Sequence, residues 1–404
     1  MDWQKLTPLD DALEHLLAQA KPIERTETLP LAQTLGRVLI NDILVPADVP
    51  PADNSAVDGY AVRAADTVSG QPLLVSARVA AGQAPGVLEP GTAVRIFTGS
   101  EIPAGADAVV MQERTEPRGD GIAITAEVTA GQNIRRQGQD LRGGDVALTA
   151  GTPVRPQEMG LLGSMGMGSV EVRQRLRVAV FSTGDELVEP GQPLQPGQIY
   201  NTNRFTLAGL LQQIGCELVR CETLQDDRES TRKALLDAAA EADLVITSGG
   251  VSVGEEDHVR VVLEESGELS LWRMAIKPGK PLAFGSLNGT PVLGLPGNPA
   301  AVLVTFLMAA VPYIRRCQGN QRYLPLGERL PAGFSTDKAS FRREFLRARK
   351  EVRDGETVVT IYPNQSSGVL SSACWAGGLA VVPEDTTITS GDPVLYYAFS
   401  ELLE

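Results

Sequence analysis

The chain has 404 residues, of which 43% are hydrophobic and 21% are charged, a composition typical of globular proteins and not of disordered or collagen-like ones. This length exceeds one ordinary hydrophobic core, so we expect roughly two to four domains. The formal net charge of −14 argues against a broad nucleic-acid-binding surface, because contact with a phosphate backbone needs an excess of lysine and arginine. Any anion-binding site must therefore be local.

The few metal-ligating and targeting signals in the sequence are weak. The four cysteines have no C-x-x-C spacing and only two histidines could assist them, so we expect reduced thiols and no zinc site. The N-terminus lacks a basic segment followed by an apolar run, and the sequence shows no obvious stretch of about 18 apolar residues. We therefore expect a cytoplasmic protein.

The first predicted element is an amphipathic helix over residues 8–20. Thr7 is expected to be its N-cap, with Pro8 as the first helical residue and Asp10 completing a capping box. Apolar residues at helical spacing predict that this helix packs against a neighbouring element or a second subunit.

The residue pattern of the sequence changes after this helix. Residues 47–140 contain short β-branched runs broken by Gly and Pro, which predicts a small β-rich domain. A helical segment precedes this block and a Gly-rich connector follows it. We therefore predict that the block is inserted into an N-terminal helical and linker domain formed by residues 1–46 and 141–174.

Strand and helix patterns alternate between residues 175 and 325. The predicted strands are 177–181, 217–219 and 243–247, and the predicted helices are 205–214, 229–241, 257–265 and one near 299–316. This order predicts a three-layer, mostly parallel α/β domain. Residues 326–404 alternate polar and apolar positions without a long helix, which predicts a C-terminal β domain. The fold class is thus multi-domain α/β.

Ligands of open α/β sheets bind beyond the carboxyl ends of the strands, so the loops there are the candidate site. These loops are Ser182-Thr183-Gly184-Asp185-Glu186, Asp226-Asp227, and Ser248-Gly249-Gly250-Val251-Ser252-Val253-Gly254 followed by Asp257. The third loop offers bare glycine N–H groups and leads into a helix N-terminus, which favours a phosphate. It matches neither common phosphate-binding motif, so a tight turn without a ligand is an equal alternative.

Three carboxylates are expected near this loop. Glu186, Asp226 and Asp257 would repel a phosphate unless a cation lay between them, and Mg²⁺ accepts both kinds of oxygen. The alternative for each acid is a helix-capping role, since Asp226, Asp227 and Asp257 all stand at predicted helix starts.

Three later segments are further candidates for contact with the ligand, and two of them are cationic. Lys277-Pro278-Gly279-Lys280-Pro281 places two lysines on a stiff turn, which suits contact with phosphate or another oxyanion. A further segment ends a strand and opens a helix: Leu295-Pro296-Gly297-Asn298-Pro299. The two alternatives for it are contact with the ligand and a loop without a ligand. Arg343 and Arg347 are expected on one face of a strand, as an anion contact or as a solvated edge.

These motifs resemble, in their order along nearly the whole chain, those of the molybdopterin molybdenumtransferase family. The members of this family are the molybdenum insertases of cofactor biosynthesis and are similar to the C-terminal part of gephyrin. The resemblance also rests on the motifs Asp53 to Ala61, Thr98-Gly99, Gly131 to Arg135, Gly138-Gln139-Asp140 and Asn201-Thr202-Asn203.

The resemblance implies an elongated homodimer of four domains, with a molybdopterin-binding α/β domain near the partner's inserted domain and a barrel-like C-terminal domain. It implies that adenylylated molybdopterin and molybdate give molybdenum cofactor and AMP, with Mg²⁺. Molybdopterin adenylyltransferase and proteins that mature molybdoenzymes are the partners it suggests. The alternative functions are molybdopterin adenylyltransferase activity and a non-catalytic, gephyrin-like scaffold.

The resemblance also implies a set of site residues. The catalytic ones are Asp58, Asp140, Glu186, Asp226, Asp257, Lys277 and Lys280, of which Glu186, Asp226 and Asp257 would bind the metal. The substrate-binding ones are Thr98, Ser182, Thr183, Gly184, Asp185, Ser248, Gly249, Gly250, Val251, Ser252, Gly254, Pro296, Asn298, Pro299, Arg343, Arg347, Ser366 and Ser371.

Overall fold

A computed structural model describes residues 6–68, 70–224, 227–250 and 258–403. Around the β-rich block, the strand Thr26–Pro30 pairs antiparallel with Ser169–Arg173, and Ile43–Leu44 pairs with Val146–Leu148. The 3-10 turn Leu31–Gln33 and the helix Pro156–Ser164 belong to the same region. These elements enclose an apolar cluster that includes Leu39, Val154, Leu162 and Val172. The segment predicted as a connector is therefore folded against the N-terminal residues.

A six-stranded sheet lies between these two halves in the sequence. Its strands, in spatial order, are Ala108–Met111, Gly59–Val62, Thr92–Ile96, Leu73–Val79, Gly121–Ile124 and Thr115–Arg118. The short helix Ala64–Thr67, the 3-10 turn Gln112–Arg114 and the strand pair Asn54–Ser55 and Ile134–Arg135 complete this region. We call the six-stranded sheet of this region the inserted sheet.

The α/β sheet also has six strands. In spatial order they are Glu217–Leu224, Arg177–Thr183, Leu244–Ser248, Thr290–Leu295, Pro281–Leu287 and Gly267–Arg273. The first four are mutually parallel, and Pro281–Leu287 is antiparallel to both of its neighbours, so the expectation of a mostly parallel sheet is met in the half that carries the candidate loops. The short strands Leu187–Val188 and Ile199–Tyr200 lie in the loop after Thr183.

Helices cover both faces of this sheet because its inner parallel strands carry buried apolar side chains on both faces. Val178, Val180 and Ile246 face one core, and Ala179 and Val245 face the other. The first core contains the helices Leu9–Gln19, Asn203–Gln213, Pro299–Thr305 and Val311–Cys317, the last two joined by the π-helical turn Phe306–Ala310. The helices Arg228–Glu241 and His258–Ser266 cover the second face. The predicted three layers are confirmed.

The described segment Pro299–Cys317 is long and apolar enough to cross a membrane, which the sequence reading missed. However, 94% of it is buried inside the fold. It is the central helix of the main core, where apolar side chains on all sides are the expected pattern.

The start of the first helix differs from the predicted capping box. The helix begins at Leu9 with Pro8 in the cap position and no side-chain cap hydrogen bond. The Thr7 N–H donates instead to the Arg273 carbonyl oxygen at 2.8 Å, and Asp10 pairs with Arg343. Tertiary partners of the two polar residues thus replace the local cap.

The C-terminal sheet extends into the α/β region. Its strands, in order, are Ile276–Lys277, Arg343–Arg353, Gly378–Val382, Pro393–Ala398 and Glu328–Pro331, with Glu356–Ile361 paired to Arg343–Arg353. The helices Ser371–Trp375 and Phe399–Leu403 accompany it. Because Lys277 belongs to this sheet, the lysine turn begins in one sheet and ends at Pro281 in the other.

An ion-pair cluster ties the N-terminal segment to the amino end of the α/β sheet. Arg25 and Arg177 both donate to the Asp243 carboxylate, at 2.6–3.0 Å for the closest contacts. Burial, the largest effect, raises the pKa of Asp243, but the hydrogen bonds from the two arginines outweigh it and bring the pKa to about 2. The charged form is therefore stabilised in the folded protein.

We expect Asp243→Asn to lower stability by roughly 1–2 kcal/mol at pH 7, after allowance for partial exposure. Because the folded-state pKa lies below the ordinary value, this contribution is present above about pH 4 and is lost as pH falls toward 2. Thermal unfolding of both proteins from pH 7 to pH 3 measures the difference. Asp237→Asn, on an exposed ion pair with Lys233, is the control with little expected effect. A difference in stability between the wild type and Asp243→Asn that stayed constant with pH would contradict this account.

Candidate active site

The ends of three parallel strands meet at one edge of the α/β sheet. Ser182 lies opposite Ser248, which lies opposite Leu295 in the next strand. After Ser248 the chain turns sharply through Gly249 and Gly250, whose φ angles are +87° and +68°. A Cβ at Gly249 would lie 3.0 Å from both Thr183 oxygens, so this close approach requires glycine.

Asn203, at the start of a helix, connects two of these loops. Its Nδ2 donates to the Ser248 hydroxyl at 2.8 Å and to the Gly297 carbonyl oxygen at 2.6 Å. Its Oδ1 is buried and accepts no hydrogen bond among the residues that the structure describes. Asn203 therefore holds the Ser248 turn beside Gly297 and presents an unused acceptor there.

A cavity of about 500 Å³ lies next to these loops, where the lysine turn, the Pro296 loop and the C-terminal sheet meet. Its lining is Lys277, Pro278, Gly279, Lys280, Pro281, Pro296, Gly297, Asn298, Ala301, Arg342, Gln365, Ser366 and Ser367. Among the lining residues that the structure describes, three side chains are cationic and none is acidic. We call it the cationic cavity, and a small anion is the ligand that this lining suits.

The two lysines differ in their surroundings. Lys277 forms an ion pair with Glu344 at 2.9 Å. Burial, and then the positive charges of Arg273 and Arg342, lower the pKa of Lys280 below its ordinary value. Like charges gathered around Lys280 repel one another, so a bound anion would relieve the repulsion.

The C-terminal wall of the cavity is held in place by Arg347, which is fully buried. Its guanidinium donates to the Ser366 carbonyl oxygen and to the Ser372 hydroxyl, both at 3.0 Å. Burial lowers the pKa of Arg347 to about 10. The Ser367 carbonyl oxygen in turn accepts from the Ala300 N–H at 2.9 Å, which joins this loop to the core helix.

Asp58 and Thr98 form a second polar group at the end of the inserted sheet. The Asp58 carboxylate accepts from both the N–H and the hydroxyl of Thr98, each at 2.8 Å. These hydrogen bonds lower the pKa of Asp58, backbone donor first, so the group is an anion near neutral pH. Asp140 is exposed, and its N–H bonds to the Val49 carbonyl oxygen.

Comparison with known proteins gives these features a context. Residues 7–166 match the MoeA N-terminal region (domain I and II), residues 179–316 a probable molybdopterin binding domain, and residues 329–399 the MoeA C-terminal region (domain IV). A molybdopterin molybdenumtransferase of Haemophilus influenzae is 41% identical over 98% of this chain and 99% of its own length.

The chain belongs to the molybdopterin molybdenumtransferase family.

Two further relatives are similar to most of this chain. A crystal structure of a molybdopterin biosynthesis moeA protein from Pyrococcus horikoshii OT3 has a TM-score of 0.84 and 32% identity, covering 98% of this chain and all of that one. Gephyrin of Dictyostelium discoideum is 33% identical over 78% of this chain and half of its own length. The predicted multi-domain α/β fold, the family and the transferase activity in molybdenum cofactor biosynthesis are thereby confirmed.

Within this molybdopterin molybdenumtransferase fold, the predicted site residues fall into groups. Lys277, Lys280, Pro296, Asn298 and Ser366 line the cationic cavity. Ser182, Thr183, Ser248, Gly249 and Gly250 lie at the adjacent strand ends, and Pro299 begins the helix beside them. Ser371 is exposed at the start of its helix.

Two predicted anion contacts are placed elsewhere. Arg343 donates two hydrogen bonds to Asp10 and pairs with Glu384, so it joins the first helix to the C-terminal sheet. Arg347 lies beneath the Ser366 loop and not at its surface. Arg342, one residue from the predicted Arg343, is the arginine that lines the cavity.

The predicted metal site is only partly within the described residues. Asp226, Val251, Ser252, Gly254 and Asp257 lie outside them. Glu186 and Asp185 are exposed after the first strand, and the Glu186 carboxylate folds so closely over Gly184 that a Cβ there would overlap it. Asp227 caps a helix through the Ser230 N–H at 2.8 Å, as the capping alternative predicted. In the described part of the chain, no group of three His, Cys, Asp or Glu side chains could hold a metal.

Proposed function

We propose that this chain inserts molybdenum by converting adenylylated molybdopterin and molybdate into molybdenum cofactor with release of AMP. The observation that carries the proposal is the cationic cavity beside the Ser248 turn. The cavity has the charge for a small oxyanion, and the glycines of the turn have no Cβ to keep a phosphate from the backbone. One site thus suits both molybdate and the phosphoanhydride of an adenylylated pterin.

The contacts suggest roles for particular residues. Lys280 and Arg342 would hold molybdate by charge, and Lys277 would do so in exchange with Glu344. Gly249 and Gly250 would approach the phosphates, while Asn203 fixes the Ser248 turn and offers its Oδ1 to a donor on the substrate. None of these roles requires a histidine, and His15 and His258 lie outside the cavity lining.

The proposal includes two features that complete the site. Mg²⁺ would neutralise phosphate charge, with Glu186, Asp226 and Asp257 as its ligands; of these the described residues include only Glu186, so no step above is assigned to the metal. A homodimer would bring Asp58, Thr98 and Asp140 of one subunit to the cavity of the other. We also propose that the enzyme is cytoplasmic and receives its substrate from a molybdopterin adenylyltransferase.

The test supplies purified protein with adenylylated molybdopterin, molybdate and Mg²⁺, and separately with molybdopterin and Mg-ATP. We expect AMP release and cofactor formation only in the first reaction. Turnover only in the second would identify an adenylyltransferase, and turnover in neither would favour a scaffold. Addition of EDTA to the first reaction tests the Mg²⁺ requirement, and restoration by added Mg²⁺ distinguishes it from damage to the protein.

A further inference from the structure

The backbone around Asp58 is closely packed. Asp58 directly precedes a central strand of the inserted sheet, and Thr98 follows the neighbouring antiparallel strand. On the opposite side of that central strand, a Cβ at Gly59 would overlap the Val110 carbonyl group, so the chain runs there with no space for a side chain. The position of the Asp58 carboxylate therefore depends on the groups that fix this backbone.

Arg95 contacts the backbone after Asp58 directly and reaches the Asp58 carbonyl group through Gln112. Its Nη1 donates to the Gly59 carbonyl oxygen at 3.2 Å, and its Nη2 donates to the Gln112 Oε1 at 2.6 Å. The Gln112 N–H donates to the Asp58 carbonyl oxygen at 3.1 Å. One planar guanidinium thus joins the Gly59 carbonyl group to the residue that holds the Asp58 carbonyl group.

Aromatic rings fix the guanidinium itself. The Arg95 guanidinium carbon lies 5.1 Å from the centre of the Tyr60 ring and 4.9 Å from that of Phe97, the residue before Thr98. Arg78 also stacks on Phe97, at 4.7 Å, but it is exposed. Arg95 therefore contacts Gly59, the residue after Asp58, and Phe97, the residue before Thr98.

We propose that Arg95 is a positioning residue that holds the Asp58 carboxylate in its orientation toward the substrate. This inference rests on the proposed function, in which Asp58 contacts the substrate bound by the partner subunit. The role needs a rigid two-pronged donor with a flat stacking face, which arginine has and lysine lacks. Functional groups keep their geometry only when the residues behind them are fixed.

The test compares Arg95→Lys, Asp58→Asn, the double variant and Arg78→Lys in the molybdenum insertion assay. We expect Arg95→Lys to lower kcat by about tenfold and to leave the KM for molybdate unchanged. The double variant should be no slower than Asp58→Asn, because the two residues act through the same carboxylate. Arg78→Lys, which removes the other guanidinium that stacks on Phe97, should match the wild type.

Hydrogen exchange at the Thr98 amide gives a readout independent of activity. Arg95→Lys should speed this exchange, because the amide donates to a carboxylate that is no longer held, while Arg78→Lys should not. Two results would overturn the positioning role. One is a double variant whose loss of kcat is the product of the two single losses, and the other is unchanged exchange at the Thr98 amide in Arg95→Lys. If Asp58→Asn keeps wild-type kcat, the proposed role of Asp58 in catalysis fails, and the Thr98 exchange alone decides whether Arg95 holds its carboxylate.

Discussion

Lys280→Gln is expected to reduce kcat/KM for molybdate by about 10- to 100-fold, with little change in the thermal stability of the protein. A charge-assisted hydrogen bond contributes roughly 1.5–3 kcal/mol, and each 1.4 kcal/mol corresponds to a factor of ten. Lys280 shares the cationic cavity with Arg342 and Lys277, but the ion pair with Glu344 already engages Lys277. The Lys280 charge is one of three positive charges among the described residues that line the cavity, and the substitution removes it.

The measurement is steady-state turnover with molybdate varied at saturating adenylylated molybdopterin. Lys233→Gln removes a lysine from an exposed helical ion pair and should leave the kinetics unchanged. Because the pKa of Lys280 is lowered, the KM for molybdate of the wild type should rise with pH below 10.5, the ordinary lysine value. A Lys280→Gln enzyme with wild-type kcat/KM would remove the cavity from the proposed molybdate route.

Apolar periodicity was sufficient to predict the layered α/β domain. The strands Arg177–Thr183 and Leu244–Ser248 are largely apolar runs buried on both faces, and such runs carry their own signal. The join between Ile276–Lys277 and the C-terminal sheet has no such signal, because a two-residue pairing leaves no periodicity. That join decides where the lysine turn lies, so only the structure could show which loops it meets.

The site illustrates the same limit for single side chains. Alternation correctly placed Arg347 on the same face as the buried Phe345, but it did not say that this face is the interior. Arg342 precedes the strand and lines the cavity, whereas Arg343 is drawn to Asp10 and Glu384. Asn203 stood within a recognised motif, yet its link between two loops depends on contacts 45 and 94 residues away in the chain.

Gly279→Ala is expected to destabilise the protein by about 2–4 kcal/mol and to lower molybdenum insertion more than tenfold. Gly279 has a φ of +96°, and a Cβ there would come within 3.0 Å of the Thr305 hydroxyl and 3.4 Å of the Ala301 carbonyl oxygen. Backbone strain of this kind costs roughly 1–3 kcal/mol, and overpacking against a core helix adds a similar amount. Any shift that relieves the overlap moves Lys280, the next residue in the cavity wall, so stability and activity should fall together.

Two matched variants separate the strain from the overlap. Gly289→Ala places an alanine at a φ of +84° with no atom within 4 Å of its Cβ, so it measures the backbone term alone. Thr305→Ala removes a buried hydroxyl without a hydrogen-bond partner among the described residues, together with a buried methyl group, so its own cost of about 1 kcal/mol is subtracted in the comparison. In Gly279→Ala/Thr305→Ala only the strain and the Ala301 contact remain, so thermal unfolding should show a loss closer to that of Gly289→Ala, with part of the activity restored. A double variant as unstable as Gly279→Ala would mean that the Ala301 carbonyl group, and not the Thr305 hydroxyl, fixes the lysine turn against the core helix.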